Sequence, residues 1–203
     1  NSTNMSWELI IVDDGSDDGS SKILKKIGHQ ENIRSILLSK NYGQTTAIQA
    51  GFDNAVGEYL VTLDSDLQND PKDIPKLIQK LINEELDLVV GWRKDRKDNY
   101  FLRNLPSILA NKLIGTITGV RLHDYGCSLK AYRAEVLKEV KLYGEMHRFI
   151  PAWMATKIPA SKISEIEVTH HPRTAGESKY GISRTFRVFV DLISVYFFMK
   201  FFS

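Results

Sequence analysis

The sequence predicts an α/β domain, a mostly parallel sheet flanked by helices. Three observations carry that prediction. Short continuous apolar runs recur through the first half, each the length of a strand buried on both faces. Segments with apolar residues at helical spacing separate them. Turns rich in Asp, Gly and Ser close the runs. The chain has 203 residues, 42% hydrophobic and 26% charged, which suits one full domain with a packed core.

Leu9-Ile10-Ile11-Val12 is the first strand, stopped by Asp13-Asp14-Gly15-Ser16. Ser20 caps a short helix that runs to Lys26. Residues 33–38 read as the second strand. Residues 44–55 read as a helix with Ala47, Ile48, Gly51, Phe52 and Ala55 along one side. Residues 58–63 are the third strand, ending in Asp64-Ser65-Asp66. Asp70-Pro71 is a cap followed by a first-turn proline. It opens a helix with Ile74, Leu77, Ile78, Leu81 and Ile82 at helical spacing. Residues 86–91 are another buried strand, so strands and helices alternate as parallel sheets require.

The second half is less regular. A helix is expected over 105–117, a strand over 128–132, and helices over 134–140 and, despite Pro151, 147–156. Residues 163–170 alternate like a strand, and 173–181 form a polar loop with two glycines. From Ile182 a helix is expected, with Arg184, Arg187 and Asp191 on one side and Phe186, Phe189, Val190, Ile193 and Phe197 on the other, an interfacial pattern. Residues 192–202 are nearly all apolar but fewer than the ~20 needed to span a bilayer. The organisation expected is a catalytic domain over 1–181 and a juxtamembrane helix over 182–203 that leads into the membrane.

Composition excludes several classes. A net charge of +2, without runs of Lys and Arg, argues against nucleic acid as a partner. The single cysteine, Cys127, makes neither an internal disulfide nor a zinc knuckle and fits a reducing compartment. Among five histidines there is no His-Glu-X-X-His spacing.

In open parallel sheets, ligands bind beyond the carboxyl ends of the strands. Asp13-Asp14 and Asp64-Ser65-Asp66 both sit at such ends, on strands expected to be neighbours. One acidic pair after a strand is ordinary turn chemistry; two are harder to dismiss. Within a strand the side chains of Asp64 and Asp66 would face opposite ways, but once the chain turns both can converge on one cation. Hard oxygen ligands so arranged suit Mg²⁺ or Mn²⁺, with phosphate oxygens and water completing the shell. Gln68 can add a carbonyl oxygen.

Ile11-Val12-Asp13-Asp14-Gly15-Ser16 and Leu63-Asp64-Ser65-Asp66-Leu67-Gln68 resemble family 2 glycosyltransferases of the GT-A fold, as does Asn41-Tyr42-Gly43-Gln44 followed by Ala50-Gly51. The likeness is greater to the polyisoprenyl-phosphate branch, which includes dolichyl-phosphate mannose synthase and bacterial undecaprenyl-phosphate glucosyltransferases. It extends over Gly91-Trp92-Arg93, over residues 126–133 (Gly-Cys-Ser-Leu-Lys-Ala-Tyr-Arg) and over Gly176-Glu177-Ser178-Lys179. The resemblance implies that Asp13, Asp14, Asn41, Gly43, Asp64 and Ser65 bind the nucleotide-sugar, and that Asp64, Asp66 and Gln68 hold Mg²⁺ or Mn²⁺. It implies that Arg103, Lys130, Arg133, Arg173, Ser178 and Lys179 face the acceptor phosphate. Asp66, Lys130 and Arg133 would serve catalysis, together with Asp124, the best remaining carboxylate near the reacting centre. Asp124 equally fits a turn residue capping its own backbone, and Lys130 and Arg133 equally fit scaffold.

The implied reaction is inverting transfer of a sugar to a polyisoprenyl phosphate at the cytoplasmic face of a membrane, with homo-oligomers expected on the same ground. UDP-glucose is the first expectation for the donor and GDP-mannose the second. The family begins with a strand and a nucleotide-binding loop that precede this sequence, and a sheet without that strand would expose an unpaired central edge. A processive polysaccharide synthase would carry a Gln-X-X-Arg-Trp motif, which is absent. A receiver-like signalling domain also pairs acidic residues with strand ends, but leaves the late cationic loop and apolar tail without purpose. A silent membrane scaffold would not need an intact Asp64-Ser65-Asp66-Leu67-Gln68.

Overall fold

The structure, a computed structural model, describes residues 5–28, 30–94, 114–116, 118–137, 140–142, 144, 146–172 and 197. The expected helices over 105–117 and from Ile182, and the loop over 173–181, lie almost wholly outside these residues. Among the described residues no helix is long and apolar enough to cross a membrane.

Strand and helix alternate as expected through the first half. The elements are β1 (Leu9–Asp13), α1 (Ser20–Ile27), β2 (Ile33–Leu37), α2 (Gln44–Asn54) and β3 (Tyr59–Thr62). A 3₁₀ turn (Pro71–Asp73), α3 (Ile74–Asn83) and β4 (Leu88–Trp92) follow. Asp70 caps the turn by accepting from the Lys72 amide at 3.0 Å. Prolines fit here because the first turn of a helix leaves its N–H groups unused. After residue 113 come β5 (Lys130–Arg133), α4 (Ala134–Leu137), a 3₁₀ turn (Met146–Arg148), α5 (Ile150–Met154), a 3₁₀ turn (Ala160–Lys162) and β6 (Ile163–Glu167). The single helix expected over 147–156 is thus two pieces. Pro151, which cannot accept a place in a helix interior, lies in the first turn of α5.

The strands form two sheets. β1 and β2 pair in parallel, and a four-stranded sheet has the order β3-β5-β4-β6. β4 and β6 are parallel, whereas β5 runs antiparallel between β3 and β4. Contrary to expectation, β1 and β3 are not hydrogen-bonded neighbours; among the described residues each has an unpaired edge. Glu8 spans them at one end, its carboxylate accepting from the amides of Val56 at 2.7 Å and Gly57 at 3.2 Å.

The core gathers on the four-stranded sheet. Leu77 and Leu81 of α3 are fully buried against Leu88, Val89, Val90, Ala131 and Tyr132, each leucine stabilising by about 2 kcal/mol. Phe52 of α2 meets the Tyr132 ring edge-on at 5.3 Å. β1, β3, β4 and β6 all point their carboxyl ends the same way, and β5 begins at that end with Lys130.

Candidate active site

Asp13 closes β1 with its acceptor capacity turned inward. Its carboxylate accepts from the Ser16 amide at 3.0 Å and from the hydroxyls of Ser16 and Ser21. The Ser16 hydroxyl, with that of Ser21, holds the carboxyl below the usual aspartate range. The turn packs tightly on the chain after β2. A Cβ on Gly15, whose φ is +71°, would stand 2.3 Å from the Lys40 carbonyl carbon. Asp14 laces the same two segments, accepting from the Tyr42 amide at 2.7 Å and the Gly43 amide at 2.8 Å. Asn41 beside them is exposed.

The second acidic turn follows β3. Asp64 and Asp66 are half-buried and Ser65 is exposed. Asp64 accepts from the side-chain amide of Gln44 at 2.8 Å. Burial pushes its carboxyl above the ordinary range; a Ser128 hydrogen bond opposes this, the Asp66 charge adds to it, and Lys130 and Arg93 pull the other way. Asp66 accepts from the Gln68 amide at 3.2 Å. Leu67 between them takes a left-handed conformation with φ +61°, a strain of about 1–2 kcal/mol for a residue with a Cβ.

Residues beyond β6 strap this turn. The Gln68 carbonyl accepts from the His171 amide at 2.7 Å, and Asn69 bridges His170. The Gln68 side-chain amide lies 3.4 Å from the His171 carbonyl. The chain thus reaches the polar segment after His171 from directly beside the Asp64–Gln68 turn.

Lys130 is 3% exposed and its ammonium donates to the Cys127 carbonyl. Burial pulls its pKa below the usual lysine range. Asp124 is gripped by Arg93, whose Nε donates at 2.6 Å and Nη2 at 2.9 Å, and by the Gly126 amide at 3.2 Å. Both side chains are almost buried, and Asp124 holds Arg93 in a bidentate ion pair. Sequence reasoning quoted Arg93 only as part of a motif. Its sign in the sequence is an arginine immediately after a buried strand, at the end of the sheet where both acidic turns lie.

Arg133 is not brought to this cluster. It pairs in register with Tyr59, at the opposite end of β3 from Asp64. There its guanidinium lies 3.3 Å from Asp87 and 3.9 Å from Glu58, and over the Tyr59 ring. Arg103, Arg173, Ser178 and Lys179 lie outside the described residues.

Among the described residues, no group of three or more His, Cys, Asp and Glu side chains is placed to hold a metal. Asp64 and Asp66 still fit a hard divalent cation of the kind that takes one or two carboxylates and leaves the rest of its shell to phosphate and water. Burial is what chiefly raises Asp64, with the Asp66 charge adding to it, and a cation held between the two carboxylates would favour the charged form of both.

The sequence model of glycosyl transferase family 2 matches residues 1–141. A dodecaprenyl-phosphate galacturonate synthase of Rhizobium johnstonii is 60% identical over 197 residues, 96% of this chain and 58% of that protein. An undecaprenyl-phosphate 4-deoxy-4-formamido-L-arabinose transferase of Aeromonas hydrophila is 40% identical over 190 residues, 93% of this chain and 57% of that protein. The chain therefore spans somewhat over half the length of these curated relatives. Among solved structures, glucosyl-3-phosphoglycerate synthase from Mycobacterium tuberculosis, in complex with Mn²⁺, UDP-glucose and phosphoglyceric acid, superposes with a TM-score of 0.67 at 18% identity, covering 93% of this chain and 68% of that one. At that identity the likeness is one of fold, and the fold is GT-A.

Proposed function

The chain belongs to glycosyl transferase family 2, and on that premise we propose that it transfers a sugar from a nucleotide-diphosphate donor to the phosphate of a polyisoprenyl lipid. The observation that carries the reading is the meeting of the two acidic turns. Asp14 and Asp64 grip consecutive residues of one segment, Tyr42-Gly43-Gln44, beside the buried Lys130. The polyisoprenyl phosphates named in the two bacterial relatives support the acceptor, and the UDP-glucose in the solved neighbour supports a nucleotide-sugar donor.

A divalent cation on Asp64 and Asp66, with Gln68 beside them, would neutralise charge on the leaving diphosphate. Asp14 keeps the loop carrying Asn41 and Gly43 against the first acidic turn, where the nucleoside would sit. The acceptor needs little help to become a nucleophile, since a phosphate monoester has a second pKa near ~6 and is mostly a dianion at neutral pH. Lys130 and Arg93 instead offset the repulsion between two phosphates. Asp124 serves by fixing Arg93. Arg103, Arg173, Ser178 and Lys179 are proposed for the acceptor phosphate. Direct attack at the anomeric carbon inverts its configuration. A lipid acceptor places the reaction at a membrane surface, proposed as the cytoplasmic one.

For the sugar, the galacturonate named in the 60% identical relative weighs ahead of glucose. The test is label transfer from UDP-galacturonate, UDP-glucose and GDP-mannose, separately, to undecaprenyl phosphate by the full-length protein with Mn²⁺ or EDTA. Label should enter the lipid fraction from a UDP-sugar, and should fall at least a hundredfold with EDTA or in Asp66→Asn. Absence of transfer from every donor, together with absence of nucleotide binding, would overturn the reading.

A further inference from the structure

Gln44 joins the two acidic turns, and we infer that it is a positioning residue that orients the Asp64 carboxylate for the donor's metal and diphosphate. The inference rests on the glycosyltransferase reading of the same site and adds to it a residue with no assigned role.

The geometry begins with the backbone. Gly43 precedes α2 with φ 95° and ψ 157°, a conformation that side chains with a Cβ rarely adopt. The amides of Tyr42 and Gly43 are given to Asp14, and the very next side chain, the first of α2, is given to Asp64. Facing a carboxylate, only the NH₂ side of the Gln44 amide can donate, so the contact has one sense. The base of the side chain is fixed from behind. Thr45 is 4% exposed, and its hydroxyl hydrogen-bonds His147 Nδ1 at 2.8 Å across the core.

The amide therefore reaches Asp64 from a segment held at Gly43 and again at Thr45, and it restricts rotation of the carboxylate that follows β3. Partners of this kind, one shell out from a metal, set the orientation of its ligands, and their loss commonly weakens metal binding by about 10–100-fold. The same placement makes the nucleoside-side turn and the metal-side turn depend on one another. A displacement of residues 42–43 by a bound nucleotide is carried directly to Asp64.

Gln44 is exposed and contributes little to the core, so it can be changed without unfolding the protein. The test is Gln44→Met, which keeps the bulk and removes the donor, in the full-length protein. Binding of UDP is measured by calorimetry with EDTA and with Mn²⁺, and binding of Mn²⁺ by its free-ion paramagnetic signal. Thermal unfolding without metal controls for the fold. The expected result is about tenfold weaker Mn²⁺ binding, loss of most of the affinity that Mn²⁺ adds to UDP, unchanged UDP binding in EDTA, and an unchanged unfolding midpoint. Equal Mn²⁺ and UDP binding by Gln44→Met and the wild type would overturn the role of Gln44 and leave the glycosyltransferase reading standing. A wild type that binds neither Mn²⁺ nor UDP would overturn both.

Discussion

At Asp13, two hydroxyls and an amide converge on one carboxylate, and its charge is spent on holding the turn that positions Asp14. The group therefore has a pH signature. Its folded pKa lies below the unfolded value, so the stabilisation is complete above the ordinary aspartate range and disappears as pH falls through the folded value. Unfolding midpoints of the wild type and Asp13→Asn should differ at pH 7 and converge as pH drops below about 4. A gap independent of pH would mean that the hydrogen bonds do not favour the charged form. The acidic pair was legible in the sequence as a pair, but not its division of labour. Which aspartate faces inward depends on Ser21, eight residues further on in the first turn of α1, and on Lys40 and Asn41 arriving from the next strand against Gly15.

The β5 strand shows how far an element can be read from its own residues. Apolar runs and turn residues located each strand of the first half to within a residue or two, although only β4 is buried along nearly its whole length. The direction of β5 leaves no local mark. Lys130 and Arg133 look like a pair of cations for one phosphate, yet a strand separates them by about 10 Å and, running antiparallel, carries Arg133 to the opposite end of β3 from the acidic turn. The two residues should therefore respond differently to substitution. Lys130→Met removes a buried charge but also the donor to the Cys127 carbonyl, so stability should change by no more than about 1 kcal/mol either way, while label transfer falls a hundredfold or more. Arg133→Gln loses the contact with Asp87 and should cost about 0.5–1 kcal/mol, with transfer changed by less than about threefold. The reverse pattern, read from denaturant midpoints and transfer rates, would place the acceptor phosphate at the far end of the sheet.

Across the whole molecule, apolar burial is unevenly shared. The buried cluster draws on α3, β3, β4, β5 and β6, and on residues 114–154, but on nothing in β1, α1 or β2. α1 has no buried residue at all, and among the described residues β1 and β2 pair only with each other. Besides the Glu8 bonds to Val56 and Gly57, what ties this half to the rest is α2, packed on β1 and reaching Tyr132 through Phe52. Backbone amides open with free energies that follow local burial, so in this 203-residue chain those of β1 and β2 should exchange with deuterium sooner than those of β4 and β5. The division coincides with the site. Asp14 stands on the softer half, Asp64 and Asp66 on the firmer one, and the first turn of α2 touches both. A ligand that bridges the halves stabilises their joined state, and its binding energy appears as protection where the free protein is loosest. UDP with Mn²⁺ should accordingly slow exchange in β1 and β2 more than in β4 and β5. Equal protection before binding, or slowing confined to β4 and β5, would show that the halves form one cooperative unit and that donor binding does not need α2 to join them.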